Sequence, residues 1–332
     1  EDRMIVQART ISKDKIFEIN TFEQLREIDN HSNQLQSDIL DLIADVLKTT
    51  PGQINNIEVL KKGMTNRSFL FTCRAQRYIM RIPGVGTDQL INRQEEASVY
   101  QIIKRKHICD DIVYIDPGNG YKITEFLEGA RVCDPLSVND LRLCMKKLRE
   151  FHSMELKVGH EFDIFGQIEF YQELWNGVPS AYKDYYNTKE KIFSLKSYID
   201  THIEKKVLTH IDAVPDNFLF IGDEIRLIDW EYAGMQDPHV DIAMFCIYSL
   251  YNKQQVDRLI DIYFEGQCLD ETRIKIYCYI AACGLLWSNW CEYKRNLGVE
   301  FGEYSLCQYR YAKDYYKIVQ KELKRMEDGK NV

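Results

Sequence analysis

The chain has 332 residues, 45% of them hydrophobic and 28% charged, and a formal net charge of −8. That is enough apolar material for more than one core, and the length suggests about two domains. The acidic balance makes nucleic acid a poor partner and favours a small cationic one. The longest apolar stretches, near 242–250 and 274–287, are broken by polar residues and fall short of the roughly 18–20 residues that membrane insertion needs.

Ten cysteines are present without a C-x-x-C pair or an accompanying histidine cluster, which points to reduced, mostly buried thiols in a cytoplasmic protein. No signal-peptide pattern opens the sequence, and Glu1 rather than Met at its head suggests a fragment or processed chain.

Residues 1–35 are polar and mixed. Ile39, Leu40, Ile43, Ala44, Val46 and Leu47 then mark an amphipathic helix, capped by Ser37 and stopped by Pro51-Gly52. Short strands are expected over 56–60, 68–73 and 78–82, the last ended by Pro83-Gly84. A helix over 88–104 has Leu90, Ala97, Tyr100 and Ile103 available for one face, and strands over 111–115 and 121–126 flank a Pro-Gly-Asn-Gly turn. These elements make a small α+β lobe.

From Ser137 the pattern turns helical. Ser137 and Asp140 form a capping-box-like start, and Leu141, Cys144, Met145, Leu148 and Phe151 follow at helical spacing. Tyrosines and helix formers dominate beyond residue 170, interrupted by two strand-like runs and a polar loop over 207–228. Three further helices are expected over 240–265, 270–295 and 303–327.

The strongest chemical signal is His210-Ile211-Asp212-Ala213-Val214-Pro215-Asp216-Asn217, followed by Asp229 in Leu227-Ile228-Asp229-Trp230-Glu231. Phosphoryl transfer needs a carboxylate near the attacking hydroxyl and oxygen ligands that hold Mg²⁺ against the phosphates. Asp212 suits the first task; Asn217 and Asp229 suit the second. The runs 218–221 and 225–228 read as a buried hairpin, which would bring the two loop ends together. Taken alone, the same residues also fit a polar loop beside a hairpin.

A turn at Lys62-Gly63-Met64-Thr65-Asn66 carries Gly63 and the small polar Thr65 and Asn66, whose backbone N–H groups suit phosphates. It is not a Walker A motif and also reads as a plain hairpin turn. Arg81 is a charge inside an apolar strand: it either lies on a solvated face of that strand or needs a partner, for which kinase logic offers a helix carboxylate, Glu96 or the adjacent Glu95. Trp287 and Trp290 stand three apart on one helix face, and Tyr248 and Tyr251 repeat the spacing. Such faces either bind quaternary ammonium groups or pack a core.

Together these blocks resemble the choline/ethanolamine kinase and aminoglycoside phosphotransferase superfamily over roughly residues 40–325. Gly63-Met64-Thr65-Asn66 and Asp229-Trp230-Glu231-Tyr232 point more narrowly to the bacterial choline kinases. The blocks Tyr78-Ile79-Met80-Arg81-Ile82-Pro83-Gly84 and Asp241-Ile242-Ala243 match as well.

The resemblance implies an α+β, protein-kinase-like two-lobed fold. A small β-sheet N-lobe with one main helix would bind nucleotide over 49–127. A larger, mostly helical C-lobe would catalyse and bind substrate over 128–332, with residues 1–48 an N-terminal extension. Asp212 would be the catalytic base, with His210 in the same motif, and Mg²⁺ would bind Asn217 and Asp229. ATP would meet Gly63, Thr65, Asn66, Arg81 with its partner Glu96, and a hinge at Glu125 and Leu127. Choline would sit against Trp287 and Trp290, with Glu231, Tyr248 and Tyr251 nearby.

The implied reaction makes phosphocholine from choline and ATP, for cell-surface decoration. The alternatives are an ethanolamine or aminoglycoside-type kinase, or an inactive kinase-like nucleotide-binding module. A monomer and a homodimer are both compatible. The first ~35 residues lie outside the resemblance, and Phe17-Glu18-Ile19-Asn20-Thr21-Phe22-Glu23-Gln24-Leu25 resembles the tail of a sugar- or phosphocholine-type nucleotidyltransferase.

Overall fold

The computed structural model describes residues 38–60, 66–84, 86–87 and 89–330. The N-terminal tail, the cap expected at Ser37 and the turn with Gly63 and Thr65 lie outside the described residues. The chain divides into two compact units. The first runs to Gly84 and adds Val113–Ile115 and Tyr121–Phe126; the second takes Val85–Ile112, Asp116–Gly120 and Leu127–Val332.

The first unit is a five-stranded sheet with one helix on it. The helix is α1 (Asp38–Leu47). The strands are β1 (Ile54–Leu60), β2 (Asn66–Cys73), β3 (Gln76–Pro83), β4 (Ile112–Ile115) and β5 (Lys122–Glu125), in the order β1-β2-β3-β5-β4. Arg74 and Ala75, both at positive φ (50° and 66°), make the two-residue turn that pairs Cys73 with Gln76, a turn whose twist matches that of the flanking strands. Leu40, Ile43 and Ala44 of α1 close on Ile54, Phe71, Cys73, Met80 and Ile123. Each large side chain so buried contributes roughly 1.5–3 kcal/mol, which is what holds a short helix that would be marginal alone.

In the second unit α2 (Arg93–Ile103) comes first. It starts later than the apolar spacing suggests, because the Asn92 side chain accepts from the amides of Gln94 and Glu95 and so fixes the start. Helix α2 clusters with this unit rather than with the sheet expected to carry it.

Next come β6 (Arg131–Val132), α3 (Val138–Ser153), α4 (Ile164–Glu173), α5 (Tyr185–Ser194), α6 (Lys196–His202), β7 (Val207–Thr209), β8 (Phe218–Ile221), β9 (Glu224–Leu227) and β10 (Gly234–Gln236). Strands β8 and β9 form the expected hairpin, with β6 beside β8, and β7 pairs with β10.

The helix expected over 240–265 is two helices, α7 (His239–Tyr248) and α8 (Lys253–Tyr263). Leu250 takes a positive φ of 53° between them, and Asn252 with Gln255 forms a capping box that starts α8 afresh. Tyr251 is therefore not on the helix that ends at Tyr248.

The centre of this unit is α9 (Asp270–Asn296), buried all round from Ile274 to Lys294, as a helix apolar on every side must be. Helix α10 (Glu303–Lys330) lies along it, so close at Gly284 that a Cβ there would stand 2.8 Å from the Gln308 carbonyl oxygen. All ten cysteines are free thiols, eight of them buried. Among the described residues no helix is long and apolar enough to cross a membrane.

Candidate active site

The candidate catalytic motif lies in the loop between β7 and β8. Two backbone features shape it. Ile211 and Asp229 have φ values of 70° and 67°, a region that costs a β-branched residue such as Ile211 of order 1–3 kcal/mol. The surroundings hold the Ile211 strain in place: Asp241, wholly buried on α7, accepts from the amides of Ile211 (2.7 Å) and His210 (3.1 Å). His152 of α3 meets the same carboxylate through Nε2 (2.9 Å), and its Nδ1 meets the Tyr263 hydroxyl (2.9 Å).

Further bonds join the loop to the far end of the hairpin. His210 Nε2 meets the Ile228 carbonyl at 2.9 Å, and the Ile228 amide donates to the Asn217 carbonyl at 2.9 Å. The His210 ring packs 4.4 Å from Trp230, whose Nε1 donates to the Leu227 carbonyl. The buried hairpin thus brings the two halves of the motif together.

Asn217 Nδ2 donates to the Asp212 carbonyl (2.9 Å) and to its carboxylate (3.2 Å). With its nitrogen so engaged, the amide presents its oxygen elsewhere. Burial, together with the nearby carboxylates of Asp229 and Glu231, pushes the Asp212 pKa up to about 8, against the opposing hydrogen bond from Asn217. Asp212, Asp229 and Glu231 therefore form one crowded anionic centre.

Among the described residues no three His, Cys, Asp or Glu side chains make a ready metal cage. Mg²⁺ that bridges phosphates does not require one, because it keeps waters and phosphate oxygens and takes only one or two protein carboxylates. One carboxylate, Asp229, and one amide oxygen, that of Asn217, fit this need.

Glu231 and Glu96 share a partner that the motifs did not reveal. Arg93 Nη1 lies 2.8 Å from Glu96 Oε2 and 3.1 Å from Glu231 Oε2, with all three side chains buried. The only sequence trace of this cluster is the Arg93–Glu96 spacing on one helix face.

Trp287 and Trp290 of α9 are buried and edge-to-face, with centroids 5.8 Å apart. Tyr232, four residues after the start of the Ile228-Asp229-Trp230-Glu231 block, packs 5.3 Å from Trp287, and Phe301 lies 5.1 Å from Trp290. The hydroxyls of Tyr171 and Tyr232 and Nε1 of Trp290 are buried without a hydrogen bond of good geometry, an unusual concentration of unmet donors. Both hydroxyls feel the charges of Glu231 and Asp212. Tyr171 has no motif around it and was not legible in the sequence.

Tyr248 points its hydroxyl at Asp216 (2.8 Å) and packs near Tyr304. Tyr251 is buried against Phe245 and bonds the Pro135 carbonyl.

Three expected nucleotide contacts lie in the first unit. Asn66 opens β2 opposite Pro83, Arg81 is buried in β3 between Ser68 and Lys122, and Glu125 ends β5 opposite Tyr78. Leu127 is the first residue of the second unit after that strand.

The chain is similar to known proteins. Protein LicA of Haemophilus influenzae (strain KW20) is 28% identical over 258 residues, 73% of this chain and 95% of that protein. The crystal structure of choline kinase LicA from Streptococcus pneumoniae matches with a TM-score of 0.74 at 28% identity, covering 84% of this chain and 97% of that one. A LicA structure in complex with AMP matches at 0.71 and 27% identity over 86% of this chain and 100% of that one.

Aminoglycoside phosphotransferase APH(4)-Ia, 15% identical with a TM-score of 0.61 over 83% of this chain and 98% of its own, shares the fold. These likenesses assign the small antiparallel sheet and the helical unit to the protein-kinase-like α+β fold. Since the choline/ethanolamine kinase family model matches residues 57–265, most of the chain, the protein belongs to the choline/ethanolamine kinase family.

Proposed function

We propose that the protein transfers the γ-phosphate of ATP to the hydroxyl of choline, giving phosphocholine and ADP. The observation that carries this reading is the adjacency of the anionic centre at Asp212 and Glu231 to the buried aromatic group of Trp287, Trp290 and Tyr232. Aromatic faces attract a quaternary ammonium that offers no hydrogen bonds, and carboxylates next to them complete its neutralisation.

In the proposed mechanism Asp212 accepts the proton of the choline hydroxyl as the oxygen attacks phosphorus. Asn217 orients that carboxylate. His210, buried between the Ile228 carbonyl and Trp230, positions the loop rather than meeting substrate. Asn217 and Asp229 would hold Mg²⁺, which supplies charge neutralisation of the phosphates when bound. Gly63, Thr65, Asn66, Arg81, Glu125 and Leu127 are the proposed ATP contacts, with Glu96 supporting the cationic side of the site. Trp287, Trp290, Glu231 and the flanking Tyr248 are the proposed choline contacts. Tyr251 would support the pocket from behind. A cytoplasmic setting, where ATP is supplied, belongs to the same proposal.

Ethanolamine is the second reading. It is favoured by the Tyr171 hydroxyl, buried without a hydrogen-bond partner, which a primary ammonium could use as an acceptor.

The test is a coupled ADP-release assay with Mg²⁺-ATP, offering choline, ethanolamine and kanamycin separately. Choline is expected to turn over best, and Asp212→Ala to lose about 10³-fold in kcat, the scale of a general base. Trp287→Ala should raise KM for choline roughly tenfold while leaving ethanolamine within about threefold. Turnover with kanamycin alone, or full activity in Asp212→Ala, would overturn the reading.

A further inference from the structure

Lys294 lies one turn beyond Trp290 on α9 and is 4% exposed. No described residue gives its ammonium a hydrogen bond or an ion pair. Instead Nζ stands over the indole of Trp290, 5.5 Å from the ring centroid, within the range of a cation–π contact. Burial lowers the pKa of this amine, and the charge of Glu231 works in the opposite direction.

A purely structural side chain at this place would be served by a methionine of similar length, without the desolvation of a charge. The position holds a cation at the rim of the aromatic group proposed to receive a cation, and that coincidence requires a reason.

The charges nearby supply one. Glu96 and Glu231 both meet the guanidinium of Arg93, and the Glu231 charge also favours the charged form of Lys294. The ammonium also occupies one face of Trp290, and two cations do not share one ring face.

We propose that Lys294 is a specificity-determining residue, a resident cation that sets how tightly and how charge-selectively the pocket holds its substrate. It leaves the substrate ammonium the faces of Trp287 and Tyr232, and it weakens the binding of that ammonium. This rests on the choline reading and adds to it a residue that limits affinity rather than supplying it.

Like charges about 7 Å apart at an effective dielectric of ~20 repel enough to change affinity by roughly tenfold or more. Lys294→Met should therefore lower KM for choline about tenfold, with the effect in KM rather than in kcat and none in KM for ATP. Lys294→Arg, which keeps the charge and stacks on indole, should keep the wild-type KM. The uncharged isostere 3,3-dimethylbutan-1-ol should show the same KM in wild type and Lys294→Met.

The inference is overturned if choline and the isostere shift together, which marks a packing role. It is equally overturned if kcat or KM for ATP deteriorates, which marks a phosphate contact. If wild type does not phosphorylate choline, titration with tetramethylammonium chloride followed by tryptophan emission separates the two readings. Tighter binding to Lys294→Met keeps the resident-cation role while the choline reading falls; equal affinity sinks the role as well. If Lys294→Met melts far below wild type, Lys294→Gln takes its place in every arm.

Discussion

The candidate catalytic loop and the α9–α10 helix pair are both in the second unit, yet they are held by opposite means. The loop keeps Ile211 in a strained conformation because one buried carboxylate, that of Asp241, accepts two of its amides and is itself held by His152. The helix pair has few such bonds. It is fixed by the fit of surfaces, with Gly284 of α9 against the backbone of α10 at Gln308 and Ala312. A structure tied at a few polar points should fail in function before it fails in stability, and one fitted by surfaces should do the reverse.

The sharpest way to break that contrast is Asp241→Ala. It leaves two buried amides and the His152 ring without their acceptor, at about 1–3 kcal/mol for each unmet group. A loss of about 4 kcal/mol in urea unfolding is expected, with a fall of more than 10²-fold in kcat for the protein that remains folded. Asp241→Asn keeps one oxygen acceptor and should lie between the two. Full kcat in folded Asp241→Ala would mean that the loop holds its shape without the anchor.

His239 extends the polar side of the comparison. It begins α7 beside Asp237, which is paired at 2.6 Å with the buried Lys275 and accepts from Tyr279. Burial lowers the His239 pKa to about 4, with Lys275 and His152 adding to the effect and Asp237 opposing it.

The folded value lies below the unfolded one of ~6.5. Between pH ~6.5 and 4 the unfolded chain therefore takes up a proton that the folded chain refuses. Stability contributed by neutral His239 is full above the unfolded value and declines as pH falls through this window, by about 3 kcal/mol in total. His239→Gln should flatten the unfolding midpoint between pH 6.5 and 4.5. An unchanged slope would place the acid sensitivity elsewhere.

The two regions also differed in how far the sequence disclosed them. Asp212, Asn217 and Asp229 were legible because the chemistry demands those residue types within one loop and hairpin, where chain distance limits spatial distance. The three-residue spacing of Trp287 and Trp290 made them legible as a pair on one helix.

Arg93 and Tyr171 were not legible, because each meets the site from a helix remote in sequence and has no motif of its own. The break between α7 and α8 was missed although Asn252 and Gln255 stand at capping-box spacing, since the apolar periodicity of 240–265 runs through it. The start of α2 at Arg93 was misplaced for the same reason: Leu90 is buried in the turn before the helix and lies in phase with it.

Gly284→Ala tests the helix pair by itself, and its sign carries the information. In the interior of an exposed helix, replacing glycine by alanine stabilises by about 1 kcal/mol. Here the new Cβ would stand 2.8 Å from the Gln308 carbonyl oxygen, 2.8 Å from Tyr311 Cβ and 3.0 Å from the Ala312 amide nitrogen. Two of these atoms are backbone and do not yield by a change of rotamer, so the helices must part, at roughly 1–3 kcal/mol.

The net expectation is a destabilisation of about 1–2 kcal/mol in urea unfolding, with kcat close to wild type because the catalytic loop is anchored through Asp241 rather than through α10. Trp287 and Trp290 lie further along α9, so any functional effect should appear as a small rise in KM for the cationic substrate. A stabilised Gly284→Ala protein would show that the helices have room at this crossing. Helix α10 would then be held by bonds to its other neighbours, such as the one Gln308 Nε2 donates to the Ile247 carbonyl of α7 (3.0 Å), and the contrast with the loop would be one of degree.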